Sequence, residues 1–361
     1  MPPQALYQAV YSDLIRRLDA GEWRIGDKFP TVYELMDFYK FSHRTILRGI
    51  QQLASEGYLK VCKGRSGSFV AQTKCLQNIG LLVKESLLSP QKTPFHYVLG
   101  MKIEALLKKE GFSVLRYIER PGTEFAGTYE IENFSKALTS GFLSGMIFAS
   151  CDFPFYMDKC PVWQKGAVPS VAIGRYGTFD FKVIMDNEEL FRIAFEYFQK
   201  KGRKNIAVFG SDIFRDMAEQ KIKSFPRLQQ SSNWYFEPER AFGNMEESGY
   251  KMMMRLWQEK NHPDALLVTD DIITKGVIQA ATKLGIRVPA ELMIIHEANS
   301  DADIFYPVQM PRIEYNLDEI ARAMVETLRS SMAASKAKSK AVKKFIYPRL
   351  VEISQQSKGM K

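Results

Sequence analysis

The stretch that decides the fold, residues 26–70, reads GDKFPTVYELMDFYKFSHRTILRGIQQLASEGYLKVCKGRSGSFV. Thr31 stands three residues before Glu34, which is the spacing of a capping box at the start of a helix. Apolar side chains then follow at helical spacing and supply a face to bury: Leu35, Met36 and Tyr39. The pattern therefore predicts a short first helix that begins just after Thr31.

A second helix is predicted to begin after Ser42 and to end at Gly57. Three apolar residues recur at i, i+4 and i+7 and share one face: Ile46, Ile50 and Leu53. A different face of the same helix carries hydrogen-bond donors at the same spacing: Arg44, Arg48 and Gln51. One face of this helix is thus expected to be buried and another to be positive and rich in hydrogen-bond donors.

A basic hairpin follows the two helices. Residues 58–61 and 68–70 are typical of strands, and the residues between them include Lys63, Gly64 and Arg65. Helix, turn, helix and hairpin in this order predict a winged helix-turn-helix, which places its second helix in the major groove of DNA. The alternative is an ordinary helical hairpin with a solvated basic face. The agreement of cap, turn, apolar register and wing favours DNA binding.

Residues Leu6 to Val70 resemble the N-terminal domain of the GntR family of bacterial transcription regulators. The resemblance includes the connection at 21–30, Glu34-Leu35 and Glu56-Gly57, and it implies the docking of that domain on DNA. The family often has Arg where this chain has Tyr33, His43 and Leu47, so the operator sequence does not carry over. The predicted DNA-binding residues are Thr31, Tyr33, Ser42, His43, Arg44, Thr45, Arg48, Lys63, Gly64 and Arg65.

Composition fits a larger globular regulator. The chain has 361 residues, 45% of them hydrophobic and 25% charged, and a net charge of +9. Excess positive charge lies at the two ends, and the run 336–340 is most simply a solvated loop. No signal peptide or membrane span is visible, and the four cysteines show no metal-ligand spacing. We therefore expect a cytoplasmic protein without a metal or other cofactor.

After a short linker at 72–78, strand and helix patterns alternate along the chain. This alternation predicts βαβ units with parallel sheets, in which ligands bind beyond the carboxyl ends of the strands. Strands are expected at 79–83, 112–118, 145–149, 169–173, 182–185, 205–209, 265–269 and 292–296. Helices are expected at 95–110, 187–201, 245–260, 272–285 and 316–333.

The order and spacing of several segments resemble the LacI/periplasmic sugar-binding domain. The segments are 94–104, 144–147, 168–175, 183–187, 202–207, 262–271, 284–289 and 350–354. The resemblance implies two lobes with a small effector, a sugar as the leading class, in the cleft between them. Carried over by position, the effector-binding candidates are Phe95, Cys151 or Asp152, Arg175, Asp270, Glu297 and Asn299. Simpler alternatives are a core residue for Phe95, a surface turn residue for Arg175 and a helix cap for Asp270.

Two family positions depart from the pattern. Alanine stands where the family commonly has an aspartate, in His296-Glu297-Ala298-Asn299, so Glu297 or Asn299 is the expected substitute. A family arginine has no clean match between 211 and 230, although Arg215 is a candidate. These departures leave the identity of the effector open.

Together these patterns predict an α/β protein with an all-α/β-wing head. The expected domains are a winged helix-turn-helix at 1–71 and a two-lobed, periplasmic-binding-protein-like domain with parallel sheets at 79–356. The predicted function is a homodimeric transcription repressor that binds a double-stranded DNA operator and a small effector, with no membrane partner. The alternative is a ligand sensor that acts through protein partners. No nucleophile, phosphate-loop or metalloprotease motif is present, so catalysis is not expected.

Overall fold

The protein is described from a computed structural model. The structure describes residues 3–19, 22–62, 67–71, 78–84, 94–119, 143–149, 168–175, 179–230, 235–237, 244–302, 304–334 and 341–352. Within it the chain forms two compact units, Met1–Gln77 and Asn78–Lys361. Each unit has its own hydrophobic core.

The first unit contains three helices and a hairpin. Its elements are α1 (Pro3–Asp19), α2 (Val32–Tyr39), α3 (His43–Ser55), β1 (Leu59–Val61) and β2 (Ser68–Val70). The predicted capping box begins α2: the Glu34 backbone N–H donates to Thr31 Oγ1 at 3.3 Å, and the Thr31 N–H donates to Glu34 Oε2 at 2.6 Å. Lys40, in the left-handed conformation at φ 57°, ends α2 and starts the turn into α3.

The core of the first unit lies between α1 and α3. Ile46 and Leu53 are fully buried there and Ile50 nearly so, as the apolar register predicts. Gly49 allows the two helices to approach closely, because a Cβ at this position would lie 3.3 Å from Val10 Cγ1 on α1. The base of the wing is a small antiparallel sheet in which Lys28 pairs with Phe69 of β2.

The second unit consists of two α/β lobes. Strands of the first lobe are β3 (Asn78–Lys84), β4 (Ser113–Glu119), β5 (Gly145–Phe148), β6 (Ser170–Ile173), β7 (Phe181–Met185) and β14 (Val342–Ile346). They form a fully parallel sheet in the order β14-β7-β6-β5-β3-β4. Helices α4 (Phe95–Lys109) and α9 (Leu317–Ala334) pack together against this lobe.

The second lobe is built around a mostly parallel sheet. Its strands are β8 (Asn205–Ser211), β9 (Gln229–Gln230), β10 (Tyr235–Glu237), β11 (Ala265–Val268), β12 (Met293–Asn299), β13 (Arg312–Tyr315) and β15 (Arg349–Val351). The order is β10-β8-β11-β12-β13-β15, with β9 also paired to β8 and only β15 antiparallel to its neighbour. Its helices are α5 (Asn187–Lys200), α6 (Arg215–Ile222), α7 (Met245–Leu256) and α8 (Asp271–Lys283).

Three short segments carry the chain between the lobes. They are Asp186, between β7 and α5; Asn316, between β13 and α9; and residues 347–348, between β14 and β15. Three crossings of this kind are what the predicted two-lobed fold requires. They place the start of α5 and the end of β13 at the junction of the lobes.

The predicted α/β class and the eight predicted strands are confirmed, with ends shifted by one to three residues. The five predicted helices are also present, and the largest change is at α7, which ends at Leu256 instead of 260. Six further elements of the second unit were not predicted: α6, β9, β10, β13, β14 and β15. The run 336–340, predicted as a solvated loop, lies outside the described residues.

Candidate functional site

The exposed face of α3 is the candidate nucleic-acid surface of the first unit. His43, Arg44 and Gln51 are exposed on the helix, while Ile46 and Leu53 are buried against α1. This division arises because the apolar repeat fixes the rotation of the helix on its core. The structure therefore presents the predicted positive, donor-rich face to solvent.

Tyr33 and His43 lie side by side at the starts of α2 and α3. Their ring centroids are 6.0 Å apart, and Tyr33 is 74% exposed. Thr31 and Ser42 use their hydroxyl oxygens to cap these same helices, since each accepts a backbone N–H bond three residues on, and Ser42 Oγ also lies 2.9 Å from Thr45 Oγ1. The predicted DNA contacts of all five residues remain predictions.

Arg48 is exposed and leans toward α1. Its guanidinium carbon lies 4.3 Å from the centroid of the Tyr7 ring, a cation–π arrangement that orients the side chain. The three predicted wing residues, Lys63, Gly64 and Arg65, lie outside the described residues.

A polar network braces α1 against α2 behind this surface. Tyr39 donates to Asp13 Oδ2 at 2.8 Å and accepts from Arg17 Nη1 at 3.3 Å, and Arg17 also pairs with Glu22. Burial raises the pKa of Tyr39 to about 12, so its hydroxyl stays protonated at neutral pH. These bonds set the position of α2, and with it the position of Tyr33.

In the second unit, polar side chains meet where strands of the second lobe end beside α5. Glu297 and Asn299 share one face of β12, and Asn299 is in register with Tyr315 of β13. The Tyr315 hydroxyl donates to Asn187 Oδ1, at the start of α5, at 2.9 Å. We call these four residues, Asn187, Glu297, Asn299 and Tyr315, the cleft floor.

Two buried polar atoms at the carboxyl ends of second-lobe strands lack a hydrogen bond among the described residues. They are Asn299 Oδ1, in a residue 6% exposed, and Ser211 Oγ, at the end of β8, in a residue 9% exposed. A buried polar atom without a partner costs about 1–3 kcal/mol, so each is a place where a ligand would be stabilised. Sequence reasoning identified Asn299 but missed Ser211 and Tyr315.

Glu297 provides the carboxyl group of the cleft floor, and the pKa of this group is strongly perturbed. Burial raises the pKa of Glu297 well above its ordinary 4.5, and the negative charges of Asp270 and Asp271 add to the rise. Burial likewise raises the pKa of Tyr315. Strongly perturbed pKa values of ionisable groups are common at binding sites.

Asp270 serves as the N-cap of α8. Its Oδ1 accepts the backbone N–H bonds of Ile272 at 2.8 Å and of Ile273 at 2.9 Å. The cap alternative is thus present in the structure, and a ligand contact by Asp270 stays a prediction.

The remaining described effector candidates lie on separate elements of the second unit. Arg175, at the end of β6, is partly exposed and forms an ion pair with Glu188 on α5, with 3.2 Å between Nη1 and Oε1. Phe95 is 7% exposed and packs in the core with His96 at its edge. Arg215 lies at the start of α6, while Cys151 and Asp152 are outside the described residues.

His296 makes the stability of the second unit dependent on pH. Its Nδ1 donates to the Glu297 carbonyl oxygen at 2.8 Å, and burial lowers the pKa of His296 to about 4 from an ordinary 6.5. Between those values the unfolded chain binds a proton that the folded chain does not, so this group's contribution is present above about pH 6.5 and is lost as the pH falls. We expect about 3 kcal/mol of loss from this group between pH 7 and pH 4.

Urea unfolding of wild type and His296→Gln measures this contribution. The variant should lose much less stability than wild type between pH 7 and pH 4, whereas His262→Gln, at an exposed histidine stacked on Trp257, should follow wild type. Equal pH dependence of wild type and His296→Gln would contradict the assignment.

Across the described residues no helix is long and apolar enough to cross a membrane. Nor do His, Cys, Asp and Glu side chains gather in groups of three or more that could hold a metal ion in that part of the chain.

Comparison with known families matches both units. Residues 6–70 match the family of bacterial regulatory proteins named gntR, and residues 195–352 match the periplasmic binding protein-like domain. The chain is 27% identical over 180 residues to the HTH-type transcriptional repressor PurR of Mannheimia succiniciproducens, covering 48% of this chain and 52% of that protein. To PurR of Klebsiella pneumoniae the chain is 25% identical, over 44% of this chain and 47% of that protein. The chain thus spans about half the length of the curated relatives it matches.

Solved structures of LacI-type proteins share the fold. A LacI transcriptional regulator from Rhodococcus superposes with a TM-score of 0.59 at 19% identity, over 76% of this chain and 96% of that one. The regulator CelR in complex with cellobiose superposes with a TM-score of 0.61 at 15% sequence identity, over 90% of this chain and 98% of that one. A LacI family regulator from Enterococcus faecalis with bound ribose superposes with a TM-score of 0.57 at 16% sequence identity, over 76% of this chain and 97% of that one.

These matches fall on the two units seen in the structure. The chain therefore joins a winged helix-turn-helix domain of the gntR family of bacterial regulatory proteins to a two-lobed, periplasmic binding protein-like domain.

Proposed function

We propose that the chain is a transcription repressor that binds operator DNA through α3 and its wing and responds to a small effector bound on the cleft floor. The observation that carries the proposal is the division of α3, with Ile46 and Leu53 buried and His43, Arg44 and Gln51 exposed. A helix held in this way presents its polar face to base edges in the major groove. The matched relatives are named repressors, which supports repression of transcription over activation.

The proposed effector is a sugar or a sugar derivative. The buried, unpartnered oxygens of Asn299 and Ser211 would bond ligand hydroxyls, and structural neighbours hold ribose or cellobiose. An effector that changes the affinity for DNA must have its own affinity changed by DNA by the same factor, and the coupling free energy is typically about 1–3 kcal/mol. We further propose a homodimer, since a regulator of this type places two recognition helices on half-sites about one DNA turn apart.

Selection of DNA by the full chain tests the proposal. The protein is incubated with sheared genomic DNA of its source organism and with a library of random DNA duplexes. The fragments that it retains are then sequenced. We expect one recurring motif with two half-sites to be enriched. Retention of fragments without a shared motif would favour the alternative, in which the sensor acts through protein partners.

A further inference from the structure

Two acceptor groups of the cleft floor have no donor among the described residues. Asn299 Oδ1 has no partner there, and only burial and the charges of Asp270 and Asp271 act on the Glu297 carboxyl group, with no hydrogen bond among them. Asn187 Oδ1 already accepts the Tyr315 hydroxyl. Both open positions are oxygens, so a ligand that fits them must bring N–H or O–H donors.

Negative charge surrounds the same position. The negative charges of Asp270 and Asp271, at the start of α8, repel a negative charge on Glu297. Those of Asp186 and Glu189, at the start of α5, repel a negative charge on Tyr315. Ile313 of β13, which is in register with Glu297, carries no charge.

Positive charge near the floor is already paired. Arg175 is the basic group that acts on Tyr315, and its guanidinium forms an ion pair with Glu188. The charges of the described residues therefore give the cleft floor a negative electrostatic potential.

We infer that the effector is a polyhydroxylated ligand without negative charge, and that it places a basic amine against Glu297. The inference takes the cleft floor as the effector site of the proposed function and adds the charge class of the ligand. An amine there would form a charge-assisted bond with Glu297, while hydroxyl groups would donate to Asn299. A phosphate or carboxylate would bring a second negative charge beside the acidic groups, at an energetic cost that rejects it.

Matched sugars test this inference on the full chain. Glucose, galactose and mannose are each compared with the 2-amino sugar and the 6-phosphate by thermal shift, and each ligand that shifts the melting temperature is titrated by calorimetry. At least one amino sugar should bind about tenfold more tightly than its neutral parent, and the phosphates should give no shift.

Two variants assign the selectivity to one side chain. Glu297→Gln should remove the preference for the amine, so that the amino sugar and its neutral parent bind this variant with equal affinity. Glu291→Gln, which changes an exposed glutamate paired with Arg287 ahead of β12, should leave the preference unchanged. A phosphate that binds as tightly as its parent, an unchanged preference in Glu297→Gln, or no shift with any sugar overturns the inference.

The DNA selection separates this inference from the proposed function. Enrichment of a motif together with failure of the sugar panel would remove the ligand class alone. Failure to enrich any motif would remove the repressor proposal, whatever the sugars do.

Discussion

Replacement of Gly276 by alanine is expected to lower the free energy of unfolding of the second unit by about 3 kcal/mol, near the upper end of the usual cost of overpacking. Helices α7 and α8 cross at two glycines with backbone against backbone. A Cβ at Gly276 would lie 1.8 Å from the Glu246 carbonyl oxygen, and one at Gly249 would lie 2.1 Å from that of Ile273. Because the obstacle is backbone, no side-chain rotation relieves the clash and the helices must separate.

Urea unfolding of Gly276→Ala measures the loss. Gly202→Ala is the matched control, because its Cβ would meet no atom within 4 Å and only its positive φ of 74° is unfavourable. We expect that control to lose about 1 kcal/mol. If Gly276→Ala were no less stable than Gly202→Ala, the close α7–α8 contact would be wrong.

Substitution of Arg44 by alanine is expected to weaken binding to the selected operator by about 1–3 kcal/mol. Arg44 is exposed near the start of α3, beside His43, where a recognition helix contacts base edges. Guanidinium bonds of this kind specify a base, so the variant should also accept changes at one operator position that wild type rejects.

A gel shift with the selected operator and its single-base variants measures both effects. Arg16→Ala is the matched control, because Arg16 is exposed on α1 and forms an ion pair with Asp13, three residues before it. It should bind the operator as wild type does. Unchanged affinity and unchanged base preference in Arg44→Ala would show that the assigned face of α3 does not contact DNA.

Local chemistry predicted the first unit well. The Thr31–Glu34 capping box and the Ile46, Ile50 and Leu53 register determine where α2 and α3 begin and which faces are buried. Both signals act within a few residues, so a single sequence contains them completely. Tyr39 was predicted only as an apolar face residue, since its bonds to Asp13 and Arg17 join residues far apart in the chain.

Strands β13 and β15 were missed for an electrostatic reason. Glu314 is 4% exposed, and it pairs with Arg312 at 2.8 Å and with Arg349 across the strand boundary at 2.9 Å. The charges at these positions resemble those of a surface segment. Only the fold brings the three residues together, so hydrophobic patterning could not identify a buried strand.

The candidate effector site was partly predictable. Glu297 and Asn299 were named because they flank the position where the resembled family commonly has an aspartate, at the carboxyl end of an apolar strand, and ligands bind beyond such ends in these sheets. The same rule applies to Ser211, which follows the apolar run of β8, and to Tyr315 at the end of β13. Asp270 caps α8 and Phe95 lies in the core, so both simpler alternatives are present in the structure, and the ligand contacts predicted for these two residues stay predictions.

Competition binding on the selected operator tests the central claim most directly. The full chain is titrated against the enriched duplex and against a scrambled duplex of equal length and composition, at one salt concentration of about 150 mM. The proposed function predicts that the operator binds at least about 1000-fold more tightly than the scrambled duplex. Equal affinity for the two duplexes would contradict it.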